Sequence, residues 1–223
     1  TNGSGAISRL SLAEVQALDN ASWFVPGEIA DHGRDPEEYP LRGRAPDDVE
    51  LRIATLEEVL EAFPGVLLNL DIKQTAPAVE PYEKALADVL RRFARVDDVI
   101  VASFNDLATR RFSDAAPEIR TSPGTVGVGA FISALRAGEK PPADGHAALQ
   151  VPVQFASTVI VDERFVTAAH AAGLAVHVWT IDDAEEMRRL VALDVDGIMS
   201  DVPSVLADVI EEAGAGWRAP GAS

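Results

Sequence analysis

The chain contains no cysteine. That excludes a disulfide framework and any thiolate metal site, and it leaves the compartment open. Cations are scarce: 19 Lys and Arg stand against 36 Asp and Glu, a formal charge of −17. Nucleic-acid binding needs clustered Lys and Arg, so the balance argues against such a partner. A bound phosphate would have to be held locally, by a metal or a few cations. No apolar run is long enough to span a bilayer, so no transmembrane segment is expected. The opening residues "TNGSGAISRLSLAEV" have no initiator methionine, no basic leader and no apolar leader core. They read as a Gly/Ser loop entering a helix at Ser11, with Glu14 completing a capping box. The expectation is that the chain begins partway through a longer protein.

What is present is ample apolar material. Of 223 residues, 47% are hydrophobic, enough for one α/β barrel-type domain or two small domains. Residues 1–50 read as a loop or insertion region with a short helix from Ser11 to Asp19, followed by a stretch rich in Gly, Pro and charge. From Thr55 the rhythm changes. A second capping box, Thr55 with Glu58, opens a helix that ends before Pro64 and Gly65. Strands and helices then alternate to Gly214. The strands are "VLLNLDI", "VIVASF", "IRTSP", "AALQVPV", "LAVHVWTI" and "GIMSD". Asn105 is placed to cap the helix after the second, Gly173 to close the helix before the fifth, and Pro203 to open the last. Asp201 reads as that last helix's cap. Strict alternation implies βαβ crossovers and a parallel sheet. Six strands are visible, and a closed (β/α)8 barrel needs eight. The rival architecture is an open doubly wound sheet, whose strand neighbours reverse around a switch point.

The strand "LLNLDIKQT" carries the most chemistry. Alternation puts Leu68, Leu70 and Ile72 on one face and Asn69, Asp71 and Lys73 on the other. In a barrel the apolar face packs on helices, and the inward face carries chemistry at its C-terminal mouth. Asp71 and Lys73 stand at that end. A carboxylate and an ammonium there can hold a cation and an anion side by side; equally, they can be a structural ion pair filling the interior. Trp179 ends the fifth strand, with His177 on the same face one layer deeper as a hydrogen-bonded interior residue. Gln150 is a further residue that could reach the pocket. Ser103 has no paired base, which makes a nucleophile reading poor. His170 reads as a surface residue, and His32 and His146, in loops, receive no role.

Several segments together resemble the glycerophosphodiester phosphodiesterase family. "RIATLEEVLEAFPGVLLNLDIK" is similar to its T-L-x-E-V-L helix and N-[IL]-E-[IL]-K strand. "VIVASFN" resembles its S-F strand, and "GLAVHVWTIDDAEEMRRLVALDVDGIMSDVP" its closing W-T and D-G-I-x-S-D-x-P unit. "ALDNASWFVPG" fits the region between its second and third barrel strands. The resemblance implies a TIM (β/α)8 barrel that hydrolyses glycerophosphodiesters to an alcohol and glycerol 3-phosphate with a divalent cation, Mg2+ or Ca2+. It implies that Asp71 is a metal carboxylate, Lys73 a phosphate contact and Trp179 an aromatic wall of the substrate pocket.

This sequence departs from the pattern in two ways. Asp71 stands where the family usually has Glu, one methylene longer. The H-R-G motif, the E-x-D pair and the later H-D motif are absent; "DHGRD", residues 31–35, has the wrong order and place. Those elements belong to the first two βα units. Residues 51–214 are therefore expected to be units 3–8 and residues 215–223 a tail. The catalytic histidines are expected upstream, and the chain alone to be nearly inactive. The alternatives are a lysophospholipase D or sphingomyelinase D-like enzyme, or a non-catalytic α/β binding fragment.

Overall fold

Capping chemistry defines the short helices at the start of the chain. A computed structural model describes residues 1–29, 31–73 and 79–214; the expected tail, 215–223, lies outside them. Two compact units divide at Pro64 and Gly65, so the helix opened by Thr55 falls in the first. In that unit, helix α1 (Leu12–Gln16) and helix α2 (Leu56–Ala62) both carry complete capping boxes. At the second, Thr55 N donates to Glu58 Oε2 at 2.7 Å and Glu58 N to Thr55 Oγ1 at 3.2 Å. The loop between them is pinned by two devices. The buried Asp19 carboxylate accepts from Ser22 Oγ and Gly43 N, each at 2.7 Å. Trp23 stacks on His32 with centroids 5.0 Å apart, and Arg42 lies 4.6 Å from the Trp23 centroid.

The second unit is the βα alternation. Strand β1 (Leu68–Asp71) leads to α3 (Glu83–Arg92), β2 (Val99–Ala102), α4 (Asp106–Ala115), β3 (Arg120–Thr121) and α5 (Thr125–Ala137). Strand β4 (Ala148–Val151) is followed by a hairpin, β5 (Gln154–Phe155) and β6 (Thr158–Val159). Then come α6 (Glu163–Ala171), β7 (Ala175–Val178), α7 (Ala184–Ala192), β8 (Gly197–Ile198) and α8 (Pro203–Glu212). The strands pair in parallel as β1-β2-β3 and β4-β7-β8. The two groups meet where Ala147 N donates to the Thr121 carbonyl at 2.9 Å. Apart from the hairpin, neighbours follow chain order throughout, as a barrel requires and a switch-point sheet does not. The arc does not close: among the described residues β1 pairs only with β2, and β8 only with β7.

Register fixes the two faces of this arc. Leu68 and Leu70 align with Val99 and Val101, while Asn69 and Asp71 align with Ile100 and Ala102. Val99, Val101, Leu149, Val151, Val176 and Val178 are buried, with Phe131, Phe165, Met187 and Leu190 of the flanking helices. The opposite face carries Asn69, Asp71, Gln150 and His177. Burial therefore selects which residues are left to do chemistry.

Two expectations are corrected in this unit. Asp201 does not cap the last helix. The N-cap is Val202, without a side-chain bond: Asp201 stands one residue before the capping position, and the Val205 and Leu206 N–H groups bond the Val202 carbonyl. The hairpin after Pro152 was not expected; its turn holds Ala156 at φ +52° and contains no Gly or Asn to announce it.

Candidate active site

The pleat of β1 carries Asn69 and Asp71 to the inner face, and Lys73 follows just past the strand end. Asp71 and Lys73 form an ion pair. Lys73 Nζ lies 5.6 Å from the centroid of the Phe104 ring. Phe104 meets Trp179 edge to face, centroids 5.5 Å apart and planes at 85°. All four side chains line one cavity of about 800 Å3 at the C-terminal ends of the strands. The strands that place them are β1, β2 and β7, which explains how residues 71, 104 and 179 converge. Asp71, Lys73 and Trp179 are thus brought together as the sequence suggested. Phe104, which joins them, was missed. Its signal was the "SF" of "VIVASFN", which places Phe104 two residues past the strand and therefore at its mouth.

The ion pair leaves Lys73 available. Its side chain is 66% exposed, and exposed pairs of this kind contribute about 0–1 kcal/mol. An anionic oxygen can share the ammonium with Asp71, because Lys73 has three donors and stays largely in water.

Beneath the mouth lies a polar layer. Gln150 Nε2 donates to Asn69 Oδ1 at 2.8 Å and stands 3.4 Å from His177 Nδ1. Burial holds the His177 imidazole below the usual histidine range, partly offset by the charge of Asp196, so the ring is neutral near pH 7. Gln150 reaches the pocket as expected, and His177 is the hydrogen-bonded interior residue expected of it. Gly197 makes room for the ring: a Cβ there would lie 2.9 Å from His177 Cδ2. Ser103, at the pocket wall, donates Oγ to the Ile72 carbonyl at 2.8 Å and accepts from Asn105 N at 3.1 Å. Those bonds give it a structural task. His170 bonds Asp196 Oδ2 at 2.9 Å through Nε2, and His146 Nδ1 lies 2.9 Å from Thr121 Oγ1.

The glycine-rich start of α5 faces the same cavity and could pass for an anion cradle. It is already filled. The Asp106 carboxylate accepts from Val126 N at 2.9 Å and Gly127 N at 2.8 Å. Gly124 is needed for this approach, since a Cβ would lie 2.7 Å from Asp106 Oδ2. The cations lining the cavity are Lys73 and Arg136.

A divalent cation takes about six or more oxygen ligands, several of them carboxylate. Among the described residues no three His, Cys, Asp or Glu side chains cluster closely enough to hold a metal. Asp71 offers one carboxylate, already facing an ammonium. The described residues do not make a cation site by themselves.

A parallel βα arc with charged and aromatic groups gathered at the C-terminal strand ends defines an α/β protein of the TIM-barrel type, which carries its chemistry at that end. The chain belongs to the glycerophosphoryl diester phosphodiesterase family, whose model matches residues 1–205. A Mycobacterium tuberculosis protein named a probable glycerophosphodiester phosphodiesterase is 32% identical over 163 residues, 71% of this chain. This chain spans 60% of that protein's length. A glycerophosphodiester phosphodiesterase of Caldanaerobacter subterraneus is 26% identical, covering 96% of this chain and 76% of its own. Among solved structures, an Oleispira antarctica phosphodiesterase in complex with the product sn-glycerol-3-phosphate superposes with TM-score 0.64 at 25% identity, over 94% of this chain and 74% of that one. A glycerophosphoryl diester phosphodiesterase domain from Mycobacterium tuberculosis gives TM-score 0.69 at 19% identity, over 95% and 78%, and supports the fold.

Proposed function

We propose that this protein acts in the hydrolysis of glycerophosphodiesters, in which water cleaves the diester to an alcohol and glycerol 3-phosphate. The observation that carries this reading is the meeting of the Asp71–Lys73 pair with Phe104 and Trp179 in one cavity at the strand ends. Lys73 neutralises charge on the phosphodiester oxygens, more strongly as negative charge gathers in the transition state. The two rings wall the carbon skeleton of the glycerol or alcohol. Asp71 orients Lys73 and offers one carboxylate to the Mg2+ or Ca2+ that the family resemblance implies, the remaining ligands coming from outside the described residues. The same reading takes the six-strand arc as six of the eight units of a barrel.

The titratable side chains lining the cavity are Asp71, Lys73 and Arg136. None of the described residues that line the cavity is a histidine, the side chain that most often supplies acid and base at the leaving and attacking oxygens. Residues 1–223 alone are therefore expected to bind substrate and to turn it over slowly. Phosphorus NMR of glycerophosphocholine, read for glycerol 3-phosphate, together with binding calorimetry, tests this. Lys73→Met is expected to weaken binding by about tenfold to a hundredfold, the worth of one hydrogen bond to a charged group. Unchanged binding in that variant contradicts the assignment.

A further inference from the structure

Asn69 lies one layer below Asp71 on the inner face of β1 and lines the same cavity. The two ends of its amide have unequal partners. Oδ1 accepts from Gln150 Nε2 at 2.8 Å, whereas Nδ2 has Met199 Sδ at 3.7 Å. A thioether is a weak acceptor, so this N–H gains little from it. An anionic oxygen is a better partner, since a hydrogen bond to a charged group is roughly twice as strong as a neutral one. Layers on one strand face are about 7 Å apart, and the Lys73 ammonium is drawn back onto Asp71. Ammonium above and amide below can therefore grip one phosphodiester group.

The layer behind Asn69 holds it this way round. An amide nitrogen only donates. Gln150 Nε2 gives one hydrogen to Asn69 Oδ1 and directs the other at His177 Nδ1, 3.4 Å away. The ring nitrogen that faces it therefore carries no proton, and the imidazole is the Nε2–H tautomer. Gly197, aligned with His177 across β7 and β8, makes the room in which the ring sits. Each member fixes the direction of the next. A bare Nδ1 takes one N–H of Gln150, the other N–H takes the Asn69 carbonyl, and the Asn69 NH2 is left to Met199 and the cavity.

We infer that Asn69 is a substrate contact, donating Nδ2–H to an oxygen of the phosphodiester held at Lys73, and that His177, acting through Gln150, is the positioning residue that keeps this donor forward. The inference rests on the reading of Lys73 given above and adds a second donor to it. The chain of bonds responds to protons. Protonated, His177 donates from both nitrogens. Gln150 must then turn its carbonyl toward the ring, which sets that oxygen against Asn69 Oδ1. Asn69 turns in its place, gives its NH2 to Gln150 and shows its own carbonyl to the substrate. The donor becomes an acceptor, and the anion loses its bond. By reciprocity a bound diester favours the neutral ring to the same degree. Of the charged groups around His177, Asp196 before β8 favours the protonated form. Asp71 and Lys73 of β1 stand toward the mouth as an ion pair.

Two measurements on the 223-residue chain test this, both with glycerophosphocholine. A diester serves because its charge stays constant, whereas a phosphate monoester titrates near about pH 6. NMR follows the imidazoles from about pH 8 down through the His177 midpoint, and calorimetry follows binding over the same range. Of the four histidines, His177 is the one whose signal is lost in His177→Gln. Asn69→Ala is expected to weaken binding about tenfold. In the parent chain affinity is expected to fall as pH falls toward the midpoint. Saturating ligand is expected to lower that midpoint by about one pH unit, the counterpart of a tenfold difference in affinity. Gln150→Leu and His177→Gln are expected to remove the pH dependence. Calorimetry reads stoichiometry apart from affinity, so a partly unfolded variant lowers the first and leaves the second readable. Binding that is independent of pH, with the His177 midpoint unmoved, overturns the relay and leaves the Lys73 reading standing. Undiminished affinity in Asn69→Ala overturns the contact. A pH dependence that survives Gln150→Leu overturns the route. Failure to bind at any pH overturns the reading of Lys73 itself.

Discussion

His177 illustrates how single residues are set by their surroundings. Its ring packs over Gly197 and under the mouth residues, and burial depresses its pKa. The sign follows directly. Free histidine titrates near about 6.5, and the folded protein resists protonation at that pH, so the unfolded chain binds the extra proton first. The contribution is fully present above about pH 6.5 and is lost as pH falls toward the folded value. His177→Gln is expected to flatten the pH dependence of thermal stability below about pH 6.5, as read by calorimetric scans from pH 7.5 downward. Gly197→Ala is expected to destabilise by about 1–3 kcal/mol, the usual cost of overpacking, in a denaturant titration. At this scale much was legible. The period-two pattern of "LLNLDIK" placed Asp71 and Lys73 on the inner face, and His177 fell one layer below Trp179 for the same reason. Phe155 was not legible, and Phe104 showed only as the "SF" after its strand, because both stand at or past strand ends, where alternation stops predicting direction.

Elements depend on side chains that reach beyond their own helix. Asp106 opens α4, yet its carboxylate serves the N-terminus of α5. Asp106→Ala is expected to cost about 1–2 kcal/mol, as loss of a helix cap does, with α5 amides losing hydrogen-exchange protection first. Unchanged protection of α5 contradicts that role. Helix α3 ends with Ala94 at φ +54°, where Ala94 N bonds the Arg91 carbonyl and Arg95 N the Leu90 carbonyl. Glycine adopts that conformation without the steric cost a Cβ carries. Ala94→Gly is therefore expected to stabilise by about 0.5–1 kcal/mol and raise the melting temperature. The local grammar of caps was readable where the bond is short-range: Ser11, Thr55 and Asn105 all cap as their spacing implied. It failed for Asp201 because the helix starts at Pro203 with Val202 as its N-cap, which leaves Asp201 one residue too early. It failed for the hairpin because Ala156 takes a turn conformation that sequence rules reserve for glycine and asparagine.

At the scale of the molecule, the alternation of strands and helices predicted parallel neighbours in chain order, and the second unit has them. Among the described residues both end strands of its arc have a partner strand on one side only, and an unpartnered strand edge is a liability for association. The formal charge of −17 opposes association by self-repulsion, and salt screens that repulsion over a Debye length of about 10 Å at 0.1 M. Sedimentation velocity is expected to report a larger associated fraction as ionic strength rises; association that falls with salt contradicts this balance. The account as a whole rests on a phosphate sitting at Lys73 beside the indole of Trp179. The most direct test is a titration of sn-glycerol 3-phosphate followed by fluorescence, in a variant that keeps Trp179 as its one tryptophan. A saturable change in emission that disappears on Lys73→Met is the predicted result. No change, or a change indifferent to Lys73, would contradict it.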